Sequence, residues 1–419
     1  MLNKLLSLIR NYDMIRPGDR IYCAVSGGPD SMALLQAMCL LQKKLQIQIF
    51  AAHFNHHLRG AEANRDADFV KKFCEERKIP FVLGEMQVQT GEKGLESAAR
   101  DARYTFLEKL PGKIATAHNA DDNAETVLMR MVRGTGLKGL GAIAPVRGRI
   151  IRPMLLVTRK EITEFLREQE IPWIQDSSND SDDFLRNRLR HHVMPLLLEE
   201  NPGLSVSWSE MALRLREDEK VLADEAEKQK TDSVSVLRKM PAALRSRVLS
   251  AMLEDWGIRE PEAEHVALAE NLVFSDSPSA KADFPGNIRI GREYDRLVRL
   301  SDSGKLTQTD VNPDGVTEIP EAGFRISCCP SEQKKTKRES FTVCPKGKMI
   351  IRSRMAGDSL RLSGGTKTVK KLMIDLKIPA SERDRIPVLA DEGGILAVAG
   401  IGANLDRIEP GVLVEFRKM

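Results

Sequence analysis

The sequence predicts an α/β protein: a doubly wound parallel sheet, followed by a helical middle domain and a small α+β C-terminal domain. Between residues 20 and 118, short apolar runs alternate with stretches of helical periodicity. Polar segments follow three of these runs, namely SGGPDS, HFNHHLRG and AHNADDNAET. From residue 284 onward the pattern changes to short strands and turns. The first pattern is typical of β-α-β units, whose parallel strands bind ligands beyond their carboxyl ends.

The elements of the N-terminal part alternate in type. Strands are predicted at residues 21–25, 47–54, 80–88 and 113–118. Helices are predicted at residues 31–45, 61–78, 95–110 and 121–133. A later helix begins at a capping box formed by Thr158 and Glu161 and ends near Glu170, because a hydroxyl followed three residues later by a carboxylate satisfies free amides at a helix start. Residues 205–230 and 241–275 are also predicted to be helical.

The chain is long enough for several domains. With 419 residues it exceeds the size at which one hydrophobic core is usual. We expect a first domain over 1–195, a helical domain over 200–280, a β-rich linking region over 281–345 and a last domain over 346–419.

Composition excludes several classes of protein. No apolar run approaches the roughly 20 residues that span a membrane, so no membrane association is expected. The six cysteines are scattered without a C-x-x-C pair, which argues against a zinc ribbon or a redox dithiol. Scattered thiols and no export signal indicate a cytoplasmic protein. The net charge of +4 favours an anionic partner only weakly.

The loop SGGPDS has the features of an anion cradle. Gly27 and Gly28 allow close backbone approach, and the amides of the next helix point at whatever binds there. The loop differs from a Walker A loop, because it has no lysine and contains Asp30. A carboxylate beside phosphates needs a bridging cation, so Asp30 indicates Mg²⁺ or a role in ordering charge.

The same loop resembles the S-G-G-x-D-S signature of the N-type ATP pyrophosphatases. The stretches GLESAARDARY, ATAHNADDNAETVLMRMVRGTGLKGL and RNRLRHHVMP are similar to those of one branch, the tRNA(Ile)-lysidine synthetase family. The resemblance implies an adenine nucleotide alpha-hydrolase-like PP-loop domain over 1–195 and a tRNA-binding domain over 346–419. It also implies ATP and Mg²⁺ as cofactors, and ATP contacts from the loop and the next strand: Ser26, Gly27, Gly28, Pro29, Asp30, Ser31 and His53. His53 as a packed strand residue stays an alternative.

The implied reaction joins L-lysine to C2 of the wobble cytidine of isoleucine tRNA with a CAU anticodon. ATP first adenylates the C2 oxygen, and the lysine amine then displaces AMP. Asp30 and Arg103 are the expected catalytic residues, while Arg100 stays an alternative to Arg103.

Asp122 and Glu125 share one face at the start of a helix. Acids there also complement the helix dipole. Several acids beside a phosphate pocket, however, raise its negative charge, and a cationic co-substrate explains them. We therefore expect both residues to bind the ammonium groups of lysine.

Basic residues in three segments are expected to contact tRNA. A solvated surface is the alternative for each segment. These residues are His56, Arg59, Arg186, Arg188, Arg190, Lys367, Lys370 and Lys371. Lys367, Lys370 and Lys371 are expected on one helix, with Val369, Leu372 and Met373 turned inward.

Other functions stay open at this point. The chain could be another PP-loop tRNA enzyme such as a thiolase, although those branches generally use paired cysteines. It could also be a small-molecule amide ligase, or an RNA-binding protein without activity. The oligomeric state is undetermined, with a homodimer as one option.

Overall fold

A computed structural model describes residues 1–55, 61–86, 95–175, 185–301 and 304–419. Within these ranges, the side chains of residues 61–63, 95–97, 99 and 100 are not described. The chain divides into two compact units, Met1–Val221 and Leu222–Met419. In the described ranges, every helix is too short or too polar to cross a membrane.

The first unit alternates helices and strands. Its helices are α1 (Leu2–Asn11), α2 (Pro29–Leu45), α3 (Ala61–Glu76), α4 (Leu95–Glu108), α5 (Ala120–Arg133), α6 (Leu137–Leu140), α7 (Arg159–Glu168), α8 (Leu185–Arg188), α9 (Met194–Glu200) and α10 (Leu204–Lys228), in which the division between the units falls. Its strands are β1 (Arg20–Ala24), β2 (Gln48–Asn55), β3 (Phe81–Glu85), β4 (Lys113–Ala115), β5 (Val146–Arg147) and β6 (Ile150–Ile151).

These strands form one sheet in the order β3-β2-β1-β4-β6-β5. All neighbours are parallel except β5 and β6. The order reverses direction at β1, which is the doubly wound arrangement predicted from the sequence. The short strands β5 and β6 were not predicted, because runs of two residues carry no periodicity. The carboxyl ends of β1, β2 and β4 meet at one edge, where a ligand site is expected.

Helix α2 lies in the hydrophobic core of this unit. Met32, Leu34, Leu35 and Met38 are fully buried, so this helix is apolar nearly all round and is covered on several sides. The helix that begins at the SGGPDS loop is therefore packed against the rest of this unit.

The helical part of the second unit contains α11 (Val234–Lys239), α12 (Ala242–Asp255) and α13 (Ala263–Phe274). The strands β7 (Lys281–Phe284), β8 (Ile288–Glu293) and β9 (Arg296–Leu300) form an antiparallel sheet. Ile290 and Leu297 of this sheet share one hydrophobic core with Val248 and Leu272 of the helices. Residues 281–300 therefore pack with the helices that precede them.

The rest of the second unit is mostly antiparallel. Its elements are β10 (Thr309–Asp310), β11 (Gly315–Ile319), β12 (Phe324–Ser331), β13 (Ser340–Val343), β14 (Ile350–Arg352), β15 (Ser359–Leu362), β16 (Gly365–Thr368), α14 (Val369–Asp375), β17 (Val388–Asp391), β18 (Gly394–Val398), β19 (Gly402–Ala403) and β20 (Gly411–Lys418). They form sheets in the orders β11-β12-β20-β13, β10-β14-β17-β18-β19 and β15-β16.

Strand β20 lies between β12 and β13 and pairs with both. Ile326 and Phe341 consequently share a core with Leu389 and Val414. The domain boundary expected at 345/346 thus falls inside one hydrophobic core. Sequence periodicity does not show which distant strands pair, so this arrangement could not be read from the chain.

Candidate active site at the carboxyl ends of the parallel strands

The loop between β1 and α2 is shaped by Gly27. Its φ of +95° lies in the left-handed region, and its carbonyl oxygen accepts a hydrogen bond from the Ile174 amide at 2.9 Å. A Cβ at this position would lie 2.9 Å from Cδ1 of Ile174. Gly28 has an ordinary φ of −73°, and a Cβ there would lie 3.7 Å from Oγ of Ser26. Only Gly27 is therefore required by the fold of the loop itself.

Two serines of the loop bond to each other. Ser31 Oγ donates to the Gly28 carbonyl at 2.9 Å and accepts from the Ser26 amide at 3.1 Å. The hydroxyl oxygens of Ser26 and Ser31 lie 3.2 Å apart. Ser31 is buried and Ser26 is exposed. Ser31 therefore fixes the loop, and Ser26 is the better placed of the two to meet a ligand.

A cavity of about 730 Å³ opens at this edge of the sheet. Its walls come from the loop, the ends of β2 and β4, and the helices α4, α5, α7 and α8. The lining includes Ser26, Gly28, Pro29, Asp30, Ser31, Phe54, Arg103, Tyr104, Thr116, His118, Asp122, Arg159, Thr163, Arg186, Asn187 and Arg190. The sequence-predicted loop, Arg103, Asp122, Arg186 and Arg190 are thus brought to one cavity. This volume lies within the range of cavities that bind ligands the size of a nucleotide.

Burial raises the pKa of Asp30 to about 6, and the nearby Asp122 carboxylate adds to this effect, while the Arg159 guanidinium opposes it. The ionised form is therefore costly at this position. A bound cation would lower that cost, so the position suits a carboxylate that works with a cationic ligand.

Asp122 and Glu125 are enclosed by three arginines. Glu125 Oε1 accepts from Arg159 Nη1 at 3.0 Å and from Arg190 Nε at 2.7 Å. Its Oε2 accepts from Arg186 Nε at 2.8 Å and from Arg190 Nη2 at 2.8 Å. Asp122 Oδ1 accepts from Arg159 Nη2 at 2.8 Å and from Arg186 Nη2 at 3.1 Å. The two acids do share one helix face, as the spacing predicted.

This cluster changes the charge balance expected at the site. Burial alone would raise the pKa of Glu125, but the hydrogen bond from Arg190 and the charges of Arg159 and Arg186 lower it to about 2. Among the described residues that line the cavity, four guanidinium groups face two carboxylates. Arginines distant in sequence therefore offset these acids, so the surplus of negative charge expected from the sequence is not observed. Lysine binding by Asp122 and Glu125 stays a prediction. Glu125 is 1% exposed and is not one of the lining residues.

Arg186 and Arg190 reach the same acids from one side of a helical segment. This segment runs from α8 through a π-helical turn at Leu189–Val193 into α9. Such turns are rare and frequently occur at functional sites. Arg188 lies on the exposed side. Arg186 and Arg190 therefore line the cavity, and Arg188 is not among its lining residues.

Arg103 is exposed and lines the cavity beside Tyr104. Its guanidinium carbon lies 5.8 Å from the centre of the Tyr104 ring, and that of Arg147 lies 5.4 Å from the same ring. Arg103 is thus placed to meet an anion. The side chain of its sequence alternative, Arg100, is outside the described residues.

His53 occupies a packed position on β2, which is the alternative that the sequence left open. Its side chain is 5% exposed, and Nδ1 lies 2.8 Å from the Val25 carbonyl oxygen. The ring is absent from the cavity lining, so the expected contact with ATP has no support here. His53 instead supports the backbone that leads into the SGGPDS loop. His56 and Arg59, expected on the following loop, lie outside the described residues.

The sequence analysis missed Arg159 and His118 as site residues. Arg159 is the first residue of α7, directly after its capping residue Thr158. The capping box indicated the helix, but the partners of Arg159 lie 34 and 37 positions away. His118 lines the cavity, and its Nδ1 lies 3.0 Å from Oγ1 of Thr116. Burial lowers the pKa of His118 to about 4, so the ring is neutral at pH 7.

The lysines of the second unit also differ from expectation. Lys367 lies on β16, before the capping residue Thr368, and its Nζ donates to Asp375 at 2.8 Å. Lys370 and Lys371 lie on α14 and are exposed. The three lysines therefore do not share one helix. The apolar residues of α14 are buried as predicted, namely Val369, Leu372 and Met373.

Comparisons with known proteins cover nearly the whole chain. The family model of a PP-loop domain matches residues 2–197. The models described as the TilS substrate binding domain and the TilS substrate C-terminal domain match residues 233–298 and 349–409.

Full-length relatives are also found. A tRNA(Ile)-lysidine synthase of Geobacillus kaustophilus is 34% identical over 96% of this chain and 95% of that protein. The synthase of Geobacter sulfurreducens is 33% identical over 96% and 92%, and that of Bacillus subtilis is 32% identical over 96% and 94%. With this extent of similarity and with a PP-loop site in its first unit, the chain belongs to the tRNA(Ile)-lysidine synthase family.

Proposed function

We propose that this protein joins L-lysine to C2 of the wobble cytidine in isoleucine tRNA with a CAU anticodon, using ATP. The cytidine O2 attacks the α-phosphorus of ATP, and the bond to the pyrophosphate leaving group breaks. The lysine side-chain amine then attacks C2, the C2–O bond breaks and AMP leaves. The first step turns a carbonyl oxygen that cannot leave into a good leaving group.

The observation that carries this proposal is the joining of a phosphate loop to an arginine-rich cavity. The amides at the start of α2 and four guanidinium groups border one space. That charge suits a triphosphate and the phosphates that flank an unstacked nucleotide. The relatives' names do not favour a thiolase or a small-molecule amide ligase.

The residues of this chain bind and orient the substrates and exclude water from them. Ser26 and the loop amides hold the outer phosphates, and Arg103 faces the α-phosphate from α4. Neutral His118 offers a hydrogen-bonding ring without adding charge. Positioning and charge stabilisation account for most of the catalysis expected in phosphoryl and nucleotidyl transfer.

Mg²⁺ fits the residues present if the phosphates supply most of its ligands. No cluster of three or more acidic, histidine or cysteine ligands occurs within the described ranges. Mg²⁺ is commonly held by one or two carboxylates together with substrate phosphates, and the half-buried Asp30 supplies such a carboxylate. When bound, the ion neutralises charge on the phosphates.

L-lysine is proposed to enter beside Asp30 and Asp122. These are the acids that line the cavity in the described part of the chain. Asp122 retains 15% side-chain exposure. The tRNA is proposed to contact Arg188 in the first unit and Lys370 and Lys371 in the second.

One experiment tests the function directly. The protein is incubated with ATP, radiolabelled L-lysine and an isoleucine tRNA transcript with a CAU anticodon. Label is expected in RNA, and pyrophosphate release is expected without lysine. A transcript with uridine at the wobble position serves as control. Absence of label from the cytidine transcript, with intact ATP binding, would overturn the proposal.

A further inference from the structure

Glu125 has no capacity left to bind a substrate. An ionised carboxylate offers about four acceptor sites. All four are occupied by guanidinium N–H groups, at distances of 2.7–3.0 Å. The side chain is also 2% exposed and is not part of the cavity wall. A lysine ammonium group could reach it only by displacing an arginine.

The same hydrogen bonds fix one edge of each arginine. Arg190 binds Glu125 through Nε and Nη2, and Arg186 uses Nε on Glu125 and Nη2 on Asp122. Among the described residues, no hydrogen bond is made by Nη1 of either arginine. Both arginines line the cavity, so these Nη1 groups are available to a ligand there.

The geometry points to Glu125 as a positioning residue. We propose that its carboxylate holds Arg159, Arg186 and Arg190 as a rigid receptor for a phosphate group of ATP. The inference rests on the proposed function only in taking ATP as the occupant of the cavity. Without Glu125, Asp122 would be the one carboxylate among the described residues within 4.0 Å of all three guanidinium groups. Their mutual repulsion would turn them away from one another and from the ligand.

Direct lysine binding is the alternative role of Glu125. The two roles predict opposite effects of a substitution on ATP affinity and on the lysine KM. The Glu125→Gln variant keeps the size of the side chain and removes its charge. If Glu125 positions arginines, its affinity for Mg·ATP, measured by calorimetry without tRNA or lysine, is expected to fall at least tenfold. The lysine KM in the complete reaction is expected to stay within about threefold. Unchanged ATP affinity with a strongly raised lysine KM would overturn the inference.

A double-mutant cycle separates positioning from a folding defect. Arg190→Gln alone is expected to weaken ATP binding to a similar extent as Glu125→Gln. The double variant is expected to bind no more weakly than either single variant, because both changes disable one unit. Independent, multiplying losses would contradict the proposal. The cycle also remains informative if Glu125→Gln folds poorly, since the double variant removes the unpaired positive charge together with the acid.

Two further variants complete the test. Glu125→Asp retains the charge and is expected to recover part of the ATP affinity lost in Glu125→Gln. Asp19→Asn is the matched control. Asp19 pairs with Lys113 at 2.8 Å at the amino ends of β1 and β4, whereas the cavity lies at their carboxyl ends. The substitution removes an equally close ion pair and is expected to leave ATP affinity unchanged. ATP binding is measured without lysidine formation, so failure of the proposed function would appear separately, as absence of lysine incorporation by the wild-type protein.

Discussion

The carboxylate of Asp30 opposes the stability of the folded protein. Its pKa is raised to about 6, chiefly by burial, whereas an unfolded aspartate titrates near 3.8. The folded state therefore binds more protons between these values, and stability falls as the pH rises through this window. At pH 7.5 the cost is fully present. Asp30→Asn is thus expected to raise the free energy of unfolding by about 1–3 kcal/mol.

The same variant is expected to lose tRNA-dependent pyrophosphate release, because the neutral amide cannot accompany a cation on the phosphates. Thermal unfolding and a pyrophosphate assay on the same preparation check both expectations. A variant that is less stable, or that releases pyrophosphate normally, would contradict this view of Asp30.

His118 makes stability depend on pH in the opposite direction. Burial lowers its pKa to about 4, while an unfolded histidine titrates near 6.5. Between these values the unfolded chain binds a proton that the folded chain does not. Stability is therefore complete above pH 6.5 and is lost as the pH falls towards 4.

His118→Gln removes this titration. Between pH 7 and pH 4 the wild-type protein is expected to lose about 2–3 kcal/mol more than the variant. Denaturant unfolding at several pH values measures the difference. Parallel pH profiles for the two proteins would show that the ring is not held neutral by burial.

At this scale, residues close in sequence were easier to predict than those joined by folding. The SGGPDS loop and the shared face of Asp122 and Glu125 follow from local spacing. The arginines that bind these acids are 34–65 positions away, and no periodicity connects them. The surplus of negative charge expected from the acids alone is consequently not observed.

The two glycines in the loop between β1 and α2 are expected to respond differently to substitution. Gly27→Ala places a side chain at a φ of +95° and 2.9 Å from Ile174, and is expected to cost about 1–3 kcal/mol of stability. Gly28→Ala meets no such contact and is expected to change stability by less than about 1 kcal/mol.

Gly28 lines the cavity, however, so its added methyl group is expected to obstruct the phosphates and weaken ATP binding at least tenfold. Unfolding and calorimetry on both variants provide the comparison. Equal losses of stability in the two would mean that the loop has a different conformation in solution.

Helix α14 carries two exposed lysines, Lys370 and Lys371, where the sequence suggested three on one face. Lys367 is held by Asp375, and Lys370 and Lys371 point to solvent. Replacing Lys370 and Lys371 with alanine is expected to weaken tRNA binding and to flatten its salt dependence by up to about two released ions.

Lys367→Ala is the matched single control, with a smaller expected effect on the salt slope because its charge is already paired. ATP affinity is expected to be unchanged in all these variants. If the salt slope of the double variant equals that of the wild type, α14 is merely a solvated helix.

In the whole molecule, the parallel sheet was predictable and the antiparallel half was not. The β-α-β rhythm determines the neighbours of β1, because crossover connections of this kind are short and of one hand. No such rule connects β13 with β20, whose facing residues, such as Phe341 and Val414, are about 70 positions apart. The region 304–345 therefore resembled a linker in sequence although it belongs to a shared core.

Two truncated proteins test this pairing. A fragment of residues 1–345 retains β12 and β13 but lacks the strand between them, and residues 304–345 are expected to lose protection from hydrogen exchange. A fragment of residues 1–300 ends before this core and is expected to retain protection in the helical part. Strong protection of 304–345 in the longer fragment would contradict the observed pairing.

The insertion of β20 between β12 and β13 also has a consequence for synthesis on the ribosome. β13 ends at Val343 and β20 begins at Gly411. At roughly 5–20 residues per second, a growing chain waits about 3–14 s between completing one strand and starting the other. During that time the inner edges of β12 and β13 have no partner, and side chains such as Ile326 and Phe341 remain exposed to water. The nascent protein is therefore most prone to misassociate, and most in need of chaperone protection, after its ATP-binding unit has already emerged.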